Sequence, residues 1–195
     1  AQGFFVTGVS DGTINFNKDQ RTFVKENATS VFIRSSNSSS THNTNREADN
    51  RLKIRLSFES SNDYKRQILV TRDSLATNEI DFGYDAISKD IQSDDMFWVI
   101  DNEKIVIQGT NAIDASTILP IGILTSENGI NTIKIDGLEN VSSDLEIYFH
   151  DKLLETFHNL ISSDYQLELT DGNFARGFTL DLLLSSEGRP AALKL

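Results

Sequence analysis

The sequence predicts an all-β fold, an antiparallel β-sandwich of Ig-like or jelly-roll-like type with about 11–13 short strands, and three observations lead there. Apolar and polar residues alternate over short segments, the pattern of a strand with one face in a core and one in water. Turn-forming clusters, among them Glu127-Asn128-Gly129, Asp136-Gly137, Asp151-Lys152 and Asp171-Gly172, punctuate these segments at short intervals. At the centre, two strongly apolar strands, MFWVID (96–101) and KIVIQG (104–109), are separated only by Asn102 and Glu103, a polar dipeptide suited to a tight hairpin.

The chain has 195 residues, enough to bury a sizeable core without a metal or a crosslink. It contains no cysteine, which excludes disulfides, thiolate catalysis and cysteine-ligated metals and leaves the compartment open. With 29 acidic against 18 basic residues the formal net charge is -11, so no nucleic-acid partner is expected and an anionic membrane surface is a poor one. No apolar run approaches the roughly 20 residues of a membrane-spanning helix, and the first residues do not read as the basic and apolar regions of a signal peptide. It opens on Ala-Gln-Gly-Phe-Phe-Val, a strand already under way, and reads as a piece of a longer or processed protein.

Residues 2–7 and 12–17 flank a Ser10-Asp11-Gly12 turn as a hairpin, and 30–35 form a brief strand, so 1–34 is expected to pack on the sandwich as an N-terminal segment. Residues 35–50 lack any large apolar side chain and read as a polar flexible loop. The main sandwich is expected over 51–184. Its first strand, RLKIRLSFE (51–59), alternates most cleanly: Leu52, Ile54, Leu56 and Phe58 face one way, and Lys53, Arg55, Ser57 and Glu59 the other. Ser60 to Asp63 turns the chain into QILVTR (67–72), and Asp73 to Asn78 turns it again. Beyond the central hairpin, strands are expected at 117–124, 130–135, 145–150, 155–160, 164–169 and 177–184. Pro120 demotes its run to an edge or a bulge. DKLLETFHNLI (151–161) also fits helical spacing, but the strand patterns on both sides favour a hairpin. The last residues, 185–195, read as a tail.

The acidic loop before the hairpin carries Asp81, Asp85, Asp90, Asp94 and Asp95. Hard cations take clusters of carboxylates, so Asp90, Asp94 and Asp95 are candidate calcium ligands; the plainer reading is of solvating, turn-forming aspartates. Paired carboxylates also serve glycosidases, but acidic pairs arise freely in so acidic a chain. Tyr84 and Trp98, with Asp81 and Asp85, are the candidate contacts to a sugar ring, although Trp98 suits the core better. His150 and His158, on neighbouring strands, form a candidate metal pair without a recognised spacing, and His42 lies in the polar loop. There is neither a G-x-S-x-G elbow nor a phosphate-binding G-x-x-x-x-G-K-[ST] loop, so acyl transfer and nucleotide chemistry are not expected.

Taken in order, QGFFV, GTINFNKDQR, RLKIRLSFESSNDYKRQILV, IDFGYDA, DMFWVIDNEKIVIQG, LPIGILTSENGINTIKIDGLENV, IYFHDKLLETFHNL and the YQLEL to GFTL stretch resemble one family along residues 2–182. That family is the β-sandwich module preceding the C-terminal sorting domain in Bacteroidetes proteins exported by the type IX secretion system. The resemblance implies a non-catalytic, extracellular or outer-surface structural and adhesive module whose partners are other domains of the same exported protein. It carries over no catalytic residue. Within that setting Asp73-Ser74-Leu75 matches the D-[ST]-[aliphatic] acceptor for O-linked glycans, which makes Ser74 a candidate glycosylation site. An exposed N-terminal strand edge suggests self-assembly by strand addition. The alternative function is a carbohydrate-binding module, calcium-assisted or not, that takes a glycan through the 81–95 loop.

Overall fold

The structure, a computed structural model, describes residues 12–13, 15 and 49–185. The expected N-terminal hairpin, the strand at 30–35, His42, most of the polar loop and the tail from 186 onward lie outside the described residues. The chain divides into two compact units, Ala1–Arg46 and Glu47–Leu195, and the described strands all belong to the second.

Every regular element described in that unit is a strand. They are β1 (Lys53–Glu59), β2 (Lys65–Arg72), β3 (Ala86–Ile87), β4 (Asp95–Ile100), β5 (Glu103–Thr110), β6 (Ile118–Thr125), β7 (Gly129–Glu139), β8 (Leu145–Asp151), β9 (Thr156–Asn159), β10 (Tyr165–Leu169) and β11 (Gly172–Leu184). The protein is all-β. The ambiguous stretch at 151–161 is the β8–β9 hairpin, its strands paired from Tyr148↔Asn159 to Asp151↔Thr156.

Ten strands form one continuous path, β10-β7-β1-β2-β5-β4-β6-β11-β8-β9, with β3 attached to β5. The two ends of the path meet through side chains. Tyr165 of β10 packs its ring on Phe149 of β8, with centroids 5.2 Å apart, and its hydroxyl donates to Asp151 Oδ2 at 3.1 Å. The result is a nearly closed, barrel-like sheet around one core. Ile54, Leu56 and Phe58 from β1, Trp98 from β4, Ile121 from β6, Ile147 and Phe149 from β8 and Leu180 from β11 all meet there, essentially without exposure.

Three features depart from the sequence reading. First, the sheet is mixed: β2 and β5 run parallel, from Leu69↔Ile107 to Arg72↔Thr110. A parallel pair needs a long crossover, and residues 73–102, acidic loop included, supply it. Second, β6 is not an edge strand, since it pairs with both β4 and β11. Its ladder with β4 runs from Asp95↔Leu124 to Trp98↔Ile121 and stops before Pro120, which has no N–H to donate. Third, the hairpin turn sits one residue earlier than expected, at Asp101 and Asn102. Their φ values of 49° and 69° are the left-handed pair of a type I′ turn, a conformation that Asp and Asn tolerate.

β5 changes partners along its length. Its first half pairs with β4, from Trp98↔Ile105 to Ile100↔Glu103, and its second half with β2. An extra residue lies at the changeover, because successive residues of β3 oppose Ile105 and Ile107. This bulge resets the alternation and turns Gln108, opposite the core residue Val70, toward the interior.

Candidate functional site

Most of the candidate residues lie on the crossover loop. Its geometry follows from short polar side chains bonding to nearby backbone, as Asp, Asn and Thr do in turns. The Leu75 N–H donates to Asp73 Oδ1 at 3.0 Å, and the Asp73 N–H donates to the Thr110 carbonyl at 2.9 Å. Ser74 sits exposed on this turn. Farther along, the Thr77 N–H donates to Asp81, and the Asp81 N–H donates to Asp85 Oδ2 at 2.6 Å. Asp85 Oδ1 accepts from the Gly109 N–H on β5 at 2.7 Å. Asp81 and Asp85 therefore brace the loop against the sheet, and these carboxylate oxygens are committed to backbone donors.

Tyr84 is half-buried in the same brace. A Cβ built on Gly109 would lie 2.8 Å from the Tyr84 Cβ, so the loop can approach β5 only because residue 109 is glycine. At the tip Phe82 stands free, with a relative exposure of 105%, next to Gly83 at φ +91°. The loop is thus a polar-braced platform with an aromatic ring at its crest.

The three proposed calcium ligands do not form a cation site; Asp90 and Asp95 approach Arg66 instead, at 3.6 and 2.6 Å. Asp95, 1% exposed, receives the Arg66 guanidinium in a fork, Nε to Oδ1 at 2.6 Å and Nη2 to Oδ2 at 3.0 Å, and also accepts the N–H groups of Gln92 and Met96. Asp94 accepts the Ser126 N–H. The Asp90 carboxylate is largely exposed, and its backbone carbonyl accepts from Arg66 Nη2 at 3.2 Å. Among the described residues, no group of three or more His, Asp or Glu is placed to hold a metal ion. Competition is one physical reason: Arg66 and the Gln92 and Met96 N–H groups occupy both Asp95 oxygens, and the Ser126 N–H takes one of Asp94's.

Trp98 is a core residue rather than a ligand platform. It is fully buried, and its indole N–H donates to the Leu69 carbonyl at 3.0 Å. Phe97, on the opposite face, is buried too, under the Lys104 ammonium 4.9 Å from its ring centre. His150 and His158 take opposite faces of the β8–β9 ladder, since Phe157 lies opposite His150 and Phe149 opposite His158. His150 stacks on Phe157, centroids 3.8 Å apart, while His158 Nε2 lies 2.8 Å from the Ser163 carbonyl.

Sequence reasoning missed a cleft at the changeover of β5. A hollow of about 510 Å³ opens between Gln108 and Thr110, the end of β4, the start of β6 and the 112–117 segment, with Asn78 on its wall. Gln108 is 4% exposed and its Oε1 has no hydrogen-bond partner. Thr110, 1% exposed, places its hydroxyl 2.6 Å from Asn78 Oδ1 and 3.1 Å from the Ala112 carbonyl. The one sequence signal for this site is a glutamine that follows the apolar run Ile105-Val106-Ile107 within its strand. Simple alternation assigns that glutamine to the wet face; the bulge reverses it.

The family whose description is "domain of unknown function (DUF8693)" matches residues 1–182. The chain belongs to this family. No curated protein and no solved structure matches it. The DUF8693 match takes in the braced loop, the β4–β5 hairpin and the cleft beside it.

Proposed function

We propose that this DUF8693 domain is a non-catalytic structural and adhesive module of a larger extracellular or cell-surface protein, carried with the other domains of that protein. One observation carries the reading. Of the loop's carboxylates, Asp85 and Asp95 are spent on backbone N–H groups and Arg66, and one oxygen of Asp94 on the Ser126 N–H, while Phe82 is left bare at the crest. Holding a large apolar ring in water is unfavourable, and a braced loop that does so is suited to contact with a partner. The resemblance to modules preceding a type IX sorting domain supports the extracellular setting, and the exposed Ser74 hydroxyl suits a surface glycan acceptor. The sandwich reading of the fold belongs with this proposal, and what supports it is that the parallel β2–β5 seam divides the strand path into two runs paired antiparallel throughout, β10-β7-β1-β2 and β5-β4-β6-β11-β8-β9.

The test coats beads with the full chain and measures their attachment to protein-coated and polysaccharide-coated surfaces, with light scattering to follow self-association. Phe82→Ser should keep the melting temperature and lose attachment. Equal attachment by the variant and the parent would overturn the role of the loop.

A further inference from the structure

The cleft at the β5 changeover is independent of the Phe82 loop, and we propose that it binds a neutral polyhydroxylated ligand, a saccharide unit, through the buried amide of Gln108. The first ground is the unpartnered Oε1. A buried amide oxygen without a donor is a net cost to folding, and Gln108 is part of the lining of the hollow, so a rotation of its amide would let an entering ligand donate to that oxygen. A hydroxyl group supplies that donor.

The second ground is the lining. Asn78 and Gln108 bring two planar amide groups, which carry donors and acceptors side by side, and the Thr110 hydroxyl donates to Asn78 Oδ1 at 2.6 Å and fixes that amide with its NH2 left to donate. Val99, Ile118 and Pro120 also line the hollow, with Ile118 61% exposed, and supply apolar surface for the C–H face of a sugar ring. The volume falls within the roughly 300–1,000 Å³ usual for small-ligand sites. A second hollow of about 360 Å³ shares Val99, Asp101 and Pro120 with the first and continues to Asn102 and Lys152, so a chain of more than one unit has room to extend.

Charge and chemistry narrow the class. Asp101 and Asp114 border the cleft, and the protein as a whole is strongly acidic, so an anionic ligand is disfavoured. A cation is disfavoured as well, because Asp114 Oδ1 is taken by the Ser116 N–H at 2.9 Å and the Ser116 hydroxyl at 2.6 Å. A neutral donor-rich molecule with an apolar face remains.

The experiment is titration of the full chain with a panel of neutral mono- and oligosaccharides, followed by amide-resolved NMR and calorimetry. The expected result is saturable binding that shifts the amides of Asn78, Gln108 and Thr110. Gln108→Leu should weaken it about tenfold or more while the melting temperature holds or rises, since the substitution removes a buried unpaired group. Ser116→Trp, made at an exposed rim position, should block binding without touching the core. Failure of every saccharide to shift these amides would overturn the proposal, and so would binding that both variants retain. Attachment through Phe82 is read in a different assay, so either inference can fail alone.

Discussion

The indole N–H of Trp98 donates to the carbonyl of Leu69 across 3.0 Å, tying β4 to β2, two strands that share no ladder. The bond lies beside the seam where β5 leaves one neighbour for the other, so the largest side chain of the core also fastens the crossover. Trp98→Phe keeps an aromatic ring but leaves the Leu69 carbonyl unpaired and a small void. The expected loss is about 2–3 kcal/mol in urea unfolding, with the fold retained. A loss under about 0.5 kcal/mol would show that the bond contributes little.

Among the five acids of the loop, Asp95 should matter most to stability and Asp90 least. Asp95→Asn breaks a buried two-point pair and strands the Arg66 guanidinium, at a cost of about 3–5 kcal/mol. Asp90→Ala, at an exposed carboxylate, should stay within about 0.5 kcal/mol of the parent. Adding calcium or a chelator should leave the melting temperature where it is, because Asp94 and Asp95 are already satisfied. A calcium-dependent rise in melting temperature would mean that a cation competes successfully for these oxygens.

Two glycines separate contact from conformation. At Gly122 a Cβ would fall 2.3 Å from the Phe97 ring, so Gly122→Ala forces a packed aromatic side chain to move and should cost about 1–3 kcal/mol. At Gly83 nothing lies within 4 Å, and only the φ of +91° penalises a side chain. Gly83→Ala should therefore cost about 1 kcal/mol and act on the loop that presents Phe82. Denaturation curves for the two variants, read beside bead attachment, would show Gly122→Ala changing stability and Gly83→Ala changing attachment.

Stability should fall in acid, with a sign that follows from two surface carboxyls. Asp49 is held below its ordinary value of 3.8, first by its bond to Arg51, and Glu139 below 4.5, first by Lys53 and then by Arg55. A carboxyl depressed in the folded state stabilises the fold above its unfolded pKa and loses that contribution as the pH falls through the folded value. The melting temperature should hold from neutral pH down to about pH 5 and decline below about pH 4. Glu139→Gln should flatten part of the decline, and added salt should shrink the difference because the pairs are exposed. A melting temperature that rises into acid would refute this sign.

What the sequence determined by itself is local. The alternation of Ile54, Leu56 and Phe58 set the inward face of β1, and a one-residue slip would have put all three in water. The turn residues set where strands end, because Asp101, Asn102 and Asp63 adopt left-handed conformations that few other residues tolerate. The all-β class followed from those periods alone. The tertiary structure decided everything that depends on partners distant in sequence. Asp95 became a structural residue because Arg66, 29 positions away, reached it first. Asp85 became a brace because the crossover laid it on Gly109, and β2 ran parallel to β5 because that crossover was long enough to bring the chain back in the same direction. Gln108 reads as a solvent-facing residue in its own strand. One extra residue at the β5 bulge turned it inward and left its buried oxygen without a partner, and local periodicity cannot register a change whose cause is pairing with two different neighbours.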